Sequence, residues 1–217
     1  MMEWIVFWLF ICFVCSWVVM VLCLLVLCAE IWLKTWIPVF LCMLRTWRVQ
    51  KRCLYRRQDK NTKITVFVEN GIVVQHSELL GNIIEEAHQM FPLFLKIVYP
   101  EFVLCPRKKN NVGIYFLSEK TYDRISAFLG VRTDGFYLFR GRALYVRGRE
   151  AQCDMTKEGD IILKHELFHH LCRYYRIDKN FLKGWEEGAA LVFEMSHLRS
   201  NDNTLAFIYE DIFVCDG

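Results

Sequence analysis

The sequence predicts an α+β fold in which a long apolar helix precedes a small domain with a mixed or antiparallel sheet. Residues 4–29 contain no charged side chain, which is typical of a helix in an apolar environment. Short runs rich in β-branched and aromatic residues recur between positions 62 and 146, and such runs are typical of strands. Near the C-terminus, apolar residues recur at helical spacing.

The uncharged run Trp4–Ala29 is 26 residues long. As a helix it would measure about 39 Å, enough to cross a hydrocarbon core of roughly 30 Å with some tilt. A cleaved signal peptide is the alternative, but Glu3 precedes the run without any Lys or Arg, and the run is too long for one. We therefore predict a retained single-pass membrane anchor over residues 1–47, with its span at about 4–29.

The segment Ile31–Leu44 is apolar but contains Lys34 and Pro38, and it is too short for a second full span. We predict that it lies in the membrane interface, with its tryptophans at headgroup depth. Residues 48–61 are predicted to form a basic juxtamembrane linker. Basic residues beside a span mark the cytoplasmic side and favour anionic lipid, so the C-terminal domain is predicted to be cytoplasmic.

Charge and cysteine content narrow the class of protein. Residues 1–63 carry nine Lys or Arg against three Asp or Glu, a balance of +6, whereas the whole chain is +3. The remainder is therefore −3, which gives no reason to expect nucleic-acid binding. Cys12 and Cys15 are spaced like a metal or redox pair but lie inside the apolar run, and the ten cysteines form no disulfide or metal framework, so we expect free thiols.

The predicted domain covers residues 62–217 and mixes strands with helices. In chain order its predicted elements are a strand at 62–69, a hairpin partner at 72–74, a helix from Ser77 to about Met90, a loop at 98–111, a strand at 112–117, a helix at 119–129, paired strands at 135–139 and 143–146, a helix from about 156 to 176, and a helix from 185 to about 197. Asn70-Gly71 is a hairpin turn signal, and Pro92 is expected to end or kink its helix.

The helix expected at 156–176 contains His-Glu-x-x-His. His165 and His169 are four residues apart, so they lie on one helix face and can present two imidazoles to one metal ion. Glu166 can then reach a water bound to that metal. Because zinc takes tetrahedral nitrogen, oxygen or sulfur ligands, this pair supplies two ligands, and a catalytic site needs a third from elsewhere in the chain.

The following helix offers the third ligand. It carries Glu186 and Glu187, and seventeen residues lie between His169 and Glu187, which leaves room for a loop and a return. Gly188 and two alanines after it allow the two helices to approach closely. Glu194 lies seven residues after Glu187, on the same face, and is a candidate hydrogen-bond partner for a ligand histidine.

This combination resembles the gluzincin metallopeptidases, the thermolysin-like and aminopeptidase-like enzymes. Their pattern is His-Glu-x-x-His followed by a Glu on the next helix, commonly within Trp-x-x-Glu-Gly-x-Ala. The resemblance covers about residues 62–200 and implies a zincin-like domain that binds Zn²⁺ and acts on peptide or protein substrates. It implies that His165, His169 and Glu187 are metal ligands and that Glu166 is the general base.

One position departs from that pattern. The family's Trp usually stands three residues before the ligand Glu, whereas Trp185 stands two before Glu187. Glu186 is therefore an alternative ligand, and Glu187 is preferred because it directly precedes Gly188.

The expected function is that of a membrane-anchored zinc metallopeptidase, in which a metal-activated water attacks the peptide bond and Glu166 takes its proton. The alternative is a catalytically inactive membrane adaptor that keeps the fold. Glu166 favours the enzyme, because a structural zinc site needs no base. Strand 143–146 is a candidate for binding an extended peptide, or else a core strand. The candidates for an oxyanion donor are His197, Tyr174, Tyr175 and Tyr209.

Overall fold

The computed structural model describes residues 2–149, 152–156, 158–177, 186–198 and 205–207. Within them the chain is a mixed α+β protein with a long apolar N-terminal helix, which confirms the predicted class. Trp185, Tyr209 and most of the loop predicted after residue 176 lie outside the described residues.

The described helices are α1 (Met2–Arg48), α2 (Leu80–Val98), α3 (Glu119–Ser126), α4 (Glu158–Tyr174) and α5 (Glu186–Glu194). The strands are β1 (Lys51–Gln58), β2 (Thr62–Glu69), β3 (Val73–Gln75), β4 (Asn110–Ser118), β5 (Gly135–Leu138), β6 (Ala143–Gly148), β7 (Gln152–Asp154), β8 (Ser196–Leu198) and β9 (Leu205–Phe207). Short 3-10 turns at Ser77–Leu79 and Ala127–Leu129 precede α2 and follow α3.

Five strands form the main sheet, in the order β1-β2-β4-β6-β5. The inner strands β2, β4 and β6 are parallel, whereas β1 and β5 are antiparallel to their neighbours and form the two edges. Because β6 lies between β4 and β5, both of its sides are paired. Of the two interpretations of residues 143–146, a peptide-binding strand or a core strand, the structure therefore shows the core strand. The edge next to α4 is β5.

Residues 48–61, predicted to be a linker, include strand β1, which pairs with β2 from Lys51↔Glu69 to Gln58↔Lys63. The basic composition hid this strand: four of its eight residues are Lys or Arg, of which Arg52 and Arg56 are exposed at the sheet edge. Leu54 and Tyr55 are partly buried and pack against the core, and this contact holds the edge strand in place.

The predicted hairpin between β2 and the next strand does not form. The turn at Asn70-Gly71 is present, with Gly71 at φ 94°, a left-handed value that favours glycine. Both sides of β2 are already occupied by β1 and β4, so β3 pairs instead with β7, in parallel.

Pro92 was expected to end or kink its helix, and it does not end it. Helix α2 continues through Pro92 to Val98, because Phe91, Phe94 and Leu95 are buried and hold the turns around the proline in the core. Helix α1 likewise continues through Pro38 to Arg48.

The last turns of α1 pack against the domain, and the helix is continuous through Ile31–Leu44. Val39 and Cys42 are buried, and the hydroxyl groups of Thr46 and Tyr145 are 3.1 Å apart. Within the described residues, α1 is the helix long and apolar enough to cross a membrane, with a mean hydropathy of 3.0 over its most apolar window. By length and composition it could be a membrane span or a signal sequence.

The sheet separates two apolar layers. Alternate residues of β2, β4 and β6, such as Val66, Ile114 and Leu144, pack against α2, α4 and α5. The opposite face, including Phe136 and Tyr145, packs against α1 and α3. Helix α4, which carries the His-Glu-x-x-His segment, therefore lies on the sheet face opposite α1.

Candidate metal centre

The two histidines of α4 are side by side, as their spacing predicts. The Nε2 atoms of His165 and His169 are 3.3 Å apart, and their side chains are 17% and 11% exposed. Both rings therefore lie at the wall of a cleft, protected from solvent but still accessible.

Helix α5 packs against α4 and brings a carboxylate to these two nitrogens. Glu187 places Oε2 3.3 Å from Nε2 of His165 and Oε1 3.5 Å from Nε2 of His169. His165, His169 and Glu187 thus form a group that could hold a metal ion, with one ligand atom from each lying within 4.8 Å of the others. These are the three residues that the sequence predicted as ligands.

The spacing of the two imidazole nitrogens is compatible with a tetrahedral metal ion. Tetrahedral ligands about 2.0–2.1 Å from a zinc ion are about 3.3–3.4 Å from one another, and the two Nε2 atoms are 3.3 Å apart. The two oxygens of Glu187 lie at similar distances, one from each ring. Two imidazoles and one carboxylate are also a ligand set used by catalytic zinc, with the fourth position left open.

The other ring nitrogens are held by two further glutamates. Nδ1 of His165 is 2.7 Å from Oε2 of Glu194, and Nδ1 of His169 is 3.0 Å from Oε1 of Glu186. A neutral histidine that donates its Nδ1 proton to a carboxylate keeps a lone pair on Nε2. Both lone pairs then point to the same place, which is what a metal requires.

This arrangement separates the two adjacent glutamates that the sequence left as alternatives. The carboxylate of Glu187 approaches both Nε2 atoms, whereas that of Glu186 contacts the far side of the His169 ring. Glu194 takes the supporting position that its spacing from Glu187 predicts.

Glu166 lies in the wall of the same cleft and is only 6% exposed. Burial raises its pKa to about 7; the neighbouring charge of His169 lowers it, and those of Glu187 and Glu194 raise it. The backbone of β5 approaches it closely, since a Cβ added at Gly135 would lie 3.0 Å from Cγ of Glu166.

Electrostatics in the cleft are dominated by its carboxylates. Burial alone would lower the pKa of His169, but its hydrogen bond to Glu186 and the nearby acidic charges raise that pKa above the usual value. Burial raises the pKa of Glu194, and its hydrogen bond to His165 lowers it. The excess of negative charge makes the cleft attractive to a cation.

The cleft has a volume of about 720 Å³ and lies between α4, α5 and the edge strand β5. Beyond the metal group, its lining mixes apolar and polar side chains. These include Val131, Thr133, Tyr137, Phe139, Ile161 and Arg173.

Of the four residues considered as oxyanion donors, the three that the structure describes, His197, Tyr174 and Tyr175, do not line the cleft. Tyr175 stacks on Phe91 at 5.3 Å in the core, and His197 is in β8, which pairs with β9. Tyr209 lies outside the described residues. The tyrosine that does reach the cleft is Tyr137, on β5, which the sequence did not single out.

His170, the residue after His169 on α4, is buried and hydrogen-bonded through both ring nitrogens. Its Nδ1 is 3.2 Å from Oη of Tyr137, and its Nε2 is 2.6 Å from Oδ1 of Asn110. The amide nitrogen of Asn110 is in turn 2.9 Å from Nε2 of His88. Burial lowers the pKa of His170 to about 3, so this ring is neutral in the folded protein.

Comparisons with known proteins give no family assignment. No protein-family model matches the chain, and a search of curated proteins also finds no match. The geometry of the site therefore carries the functional argument.

Proposed function

We propose that this protein is a zinc metallopeptidase anchored to a membrane by α1. The observation that carries the proposal is the triangle formed by Nε2 of His165, Nε2 of His169 and the carboxylate of Glu187. It lies beside the buried carboxylate of Glu166, and supporting carboxylates hold both rings in the tautomer that a metal needs.

His165, His169 and Glu187 would hold the zinc ion, which when bound supplies a polarised, acidified water and polarises a carbonyl oxygen. Glu166 then acts as the general base. It removes a proton from the water as the water oxygen bonds to the peptide carbonyl carbon. When the carbon–nitrogen bond breaks, Glu166 returns that proton to the leaving amine.

Strand β5 supports a peptide as the substrate. It is the edge of the described five-stranded sheet, and Gly135 and Tyr137 line the cleft. An extended peptide can pair with such an edge through main-chain hydrogen bonds. Those bonds would hold the peptide beside the metal group.

The second candidate is an inactive membrane adaptor that retains the zincin fold. A structural zinc site would recruit a fourth protein ligand, whereas His165, His169 and Glu187 are the three residues that group here within the described chain. The carboxylate of Glu166 lies against Gly135 in the cleft wall, a position that suits a base and gives no advantage to a purely structural site. Both observations favour the enzyme.

The test is metal analysis of the purified full-length protein beside two matched variants. We expect one zinc per chain in the wild type, loss of zinc in Glu187→Ala, and retention at saturating zinc in Glu186→Ala. These glutamates are adjacent on one helix, so each variant controls for the effect of the other on folding.

A hydroxamate probe that displaces water from zinc separates the two candidate functions. Binding of the probe to the wild-type zinc protein is expected of the enzyme. A wild type that binds no stoichiometric zinc would overturn the proposal. Zinc that is bound but closed to the hydroxamate would favour the adaptor.

A further inference from the structure

The register of the main sheet gathers basic residues from three separate loops at one end. The backbone nitrogen of Asn110 bonds to the carbonyl of Asn61, and that of Gly113 bonds to the carbonyl of Arg142. The segments that precede β2, β4 and β6 therefore lie side by side. They carry five exposed cations, Lys60, Lys108, Lys109, Arg140 and Arg142, which we call the basic end of the sheet.

Acidic side chains do not balance this charge locally. Asp59, in the turn between β1 and β2, is paired with Arg57, with 2.9 Å between its Oδ2 and Nε of the arginine. At the opposite end of the sheet, by contrast, cations are paired with acids: Arg147 with Glu119 and Asp134, and Arg149 with Asp134. The five cations of the basic end form no such ion pair within the described part of the chain, so their positive charge is not neutralised there.

Helix α1 leaves the domain at this same end. The earlier residue of α1 contacts the earlier residue near β6: the guanidinium of Arg140, just before β6, lies 4.6 Å from the ring centre of Trp36. The later residue of α1, Thr46, contacts Tyr145 within β6. The helix and β6 therefore run in the same direction. The residues of α1 before Trp36 project beyond the basic end.

We propose that the basic end of the sheet contacts the anionic headgroups of the membrane that α1 spans, a contact that we call the lipid contact. This rests on the proposed function only in taking α1 as a membrane span, and not on peptidase activity. Trp32 and Trp36, whose ring centres are 6.2 Å apart, mark the interfacial level, since tryptophan is enriched at headgroup depth.

The contacts of Trp36 fix the position of the domain relative to the membrane surface. Because Arg140 stacks on Trp36, the loop between β5 and β6 is at that level, and Lys108 and Lys109 lie across the same end of the sheet. Five cations near an anionic surface act together, each changing the bound population roughly fivefold. The lipid contact also holds the cleft close to the membrane, because Phe139, which lines the cleft, directly precedes Arg140.

The reactivity of lysine side chains in nanodiscs tests the lipid contact on the intact chain. Full-length protein is placed in discs of phosphatidylcholine alone or of phosphatidylcholine with phosphatidylserine, acetylated briefly, and read by peptide mass spectrometry. We expect labelling of Lys60, Lys108 and Lys109 to slow roughly fivefold in the anionic discs. Lys120, exposed at the other end of the sheet, is the internal control and should not change.

Salt and charge reversal sharpen the test. Protection should disappear at about 1 M salt, where the Debye length falls to about 3 Å. The double variant Lys108→Glu/Lys109→Glu should remove the protection of Lys60, whereas Lys120→Glu/Arg132→Glu, with the same change in charge, should leave it intact.

Two results would overturn the proposed lipid contact. If each of the four lysines is labelled at the same rate in both kinds of disc while the chain stays membrane-embedded, the basic end does not contact anionic lipid. If alkaline carbonate extracts the full-length chain from vesicles, α1 is not a span and the proposed lipid contact fails with it. Zinc binding, measured separately, remains a test of the peptidase proposal alone.

Discussion

Helix α4 places adjacent histidines in opposite chemical settings on its two faces. His169 faces the cleft, where carboxylates raise its pKa and its Nε2 lies 3.3 Å from that of His165. His170, the next residue, is buried between Asn110 and Tyr137, where its pKa falls to about 3. The same kind of side chain thus belongs to a group that could hold a metal ion on one face of α4, and is buried as a neutral ring on the other.

The difference teaches that the partners of a histidine, and not the motif alone, decide its role. On the cleft face, both Nδ1 atoms meet carboxylates, which leaves both Nε2 atoms for one ion. On the core face, both nitrogens of His170 are used by neutral groups, so no site for a charge or a metal is left there. Each of the following changes tests one side of this contrast.

The largest effect is expected from the base on the cleft face. Glu166→Gln keeps the size and burial of the side chain but removes its ability to take a proton, so peptide hydrolysis should fall about 10²- to 10⁴-fold. Zinc content should stay at the wild-type level, because Glu166 is not in the metal group. Turnover of a peptide library and metal analysis on the same sample check both points, and unchanged hydrolysis would remove Glu166 from the mechanism.

A smaller effect is expected from the carboxylates that hold the rings. Glu194→Gln removes the charge 2.7 Å from Nδ1 of His165 and should weaken zinc affinity about 10- to 100-fold. Glu186→Gln should do the same through His169. Competition with a fluorescent zinc chelator measures both, and Glu78→Gln, an exposed acid outside the cleft, serves as the control. Wild-type affinity in both ring-holding variants would argue against the ring orientation described here.

On the core face, stability rather than metal binding should respond. Asn110→Ala leaves His170 and His88 without their shared amide, and burying unsatisfied polar groups costs about 1–3 kcal/mol. Asn61→Ala, an exposed position, should change the free energy of unfolding by less than about 0.5 kcal/mol. Denaturant unfolding of the full-length protein in detergent compares the two, and zinc affinity in Asn110→Ala should remain close to that of the wild type.

The smallest effect is a dependence of stability on pH from His88. Burial lowers the pKa of His88, and the charge of Arg57 also lowers it, so the folded protein takes up this proton at a lower pH than the unfolded chain, which does so at about pH 6.5. The unfolded state then binds more protons than the folded state. As the pH decreases, the free energy of unfolding therefore decreases by up to about 1.4 kcal/mol per pH unit for this group.

The buried His170 contributes to this acid dependence with the same sign. The matched comparison is therefore wild type against His88→Gln, which should lose stability less steeply as the pH falls below about 6.5. Parallel slopes in the two proteins would show that His88 does not titrate on unfolding.

Local patterns in the sequence were enough for much of the fold. Strand β2 has the predicted bounds, Ser118 caps α3 by accepting a hydrogen bond from the backbone of Thr121, and Gly130 ends the following turn with φ 66°. Each of these depends on residues a few positions apart. Strand β1 was missed because it is rich in basic side chains and a register shift between Cys53 and Tyr55 breaks its alternation. The pairing of β3 with β7 depends on which sheet edges remain open.

The sequence by itself determined the long apolar helix α1 and the shared face of His165 and His169. Both follow from local rules, the length of an uncharged run and the four-residue spacing of a helix turn. It also narrowed the third member of the metal group to two adjacent glutamates on the next helix.

Only the tertiary structure decided between those glutamates. Adjacent residues on a helix point about 100° apart, so the choice depends on how α5 is rotated against α4. That rotation places Glu187 between the two Nε2 atoms and sends Glu186 to Nδ1 of His169. The hydrogen-bond partners of His170, Asn110 and Tyr137, come from strands β4 and β5, and no local pattern could have paired them with it.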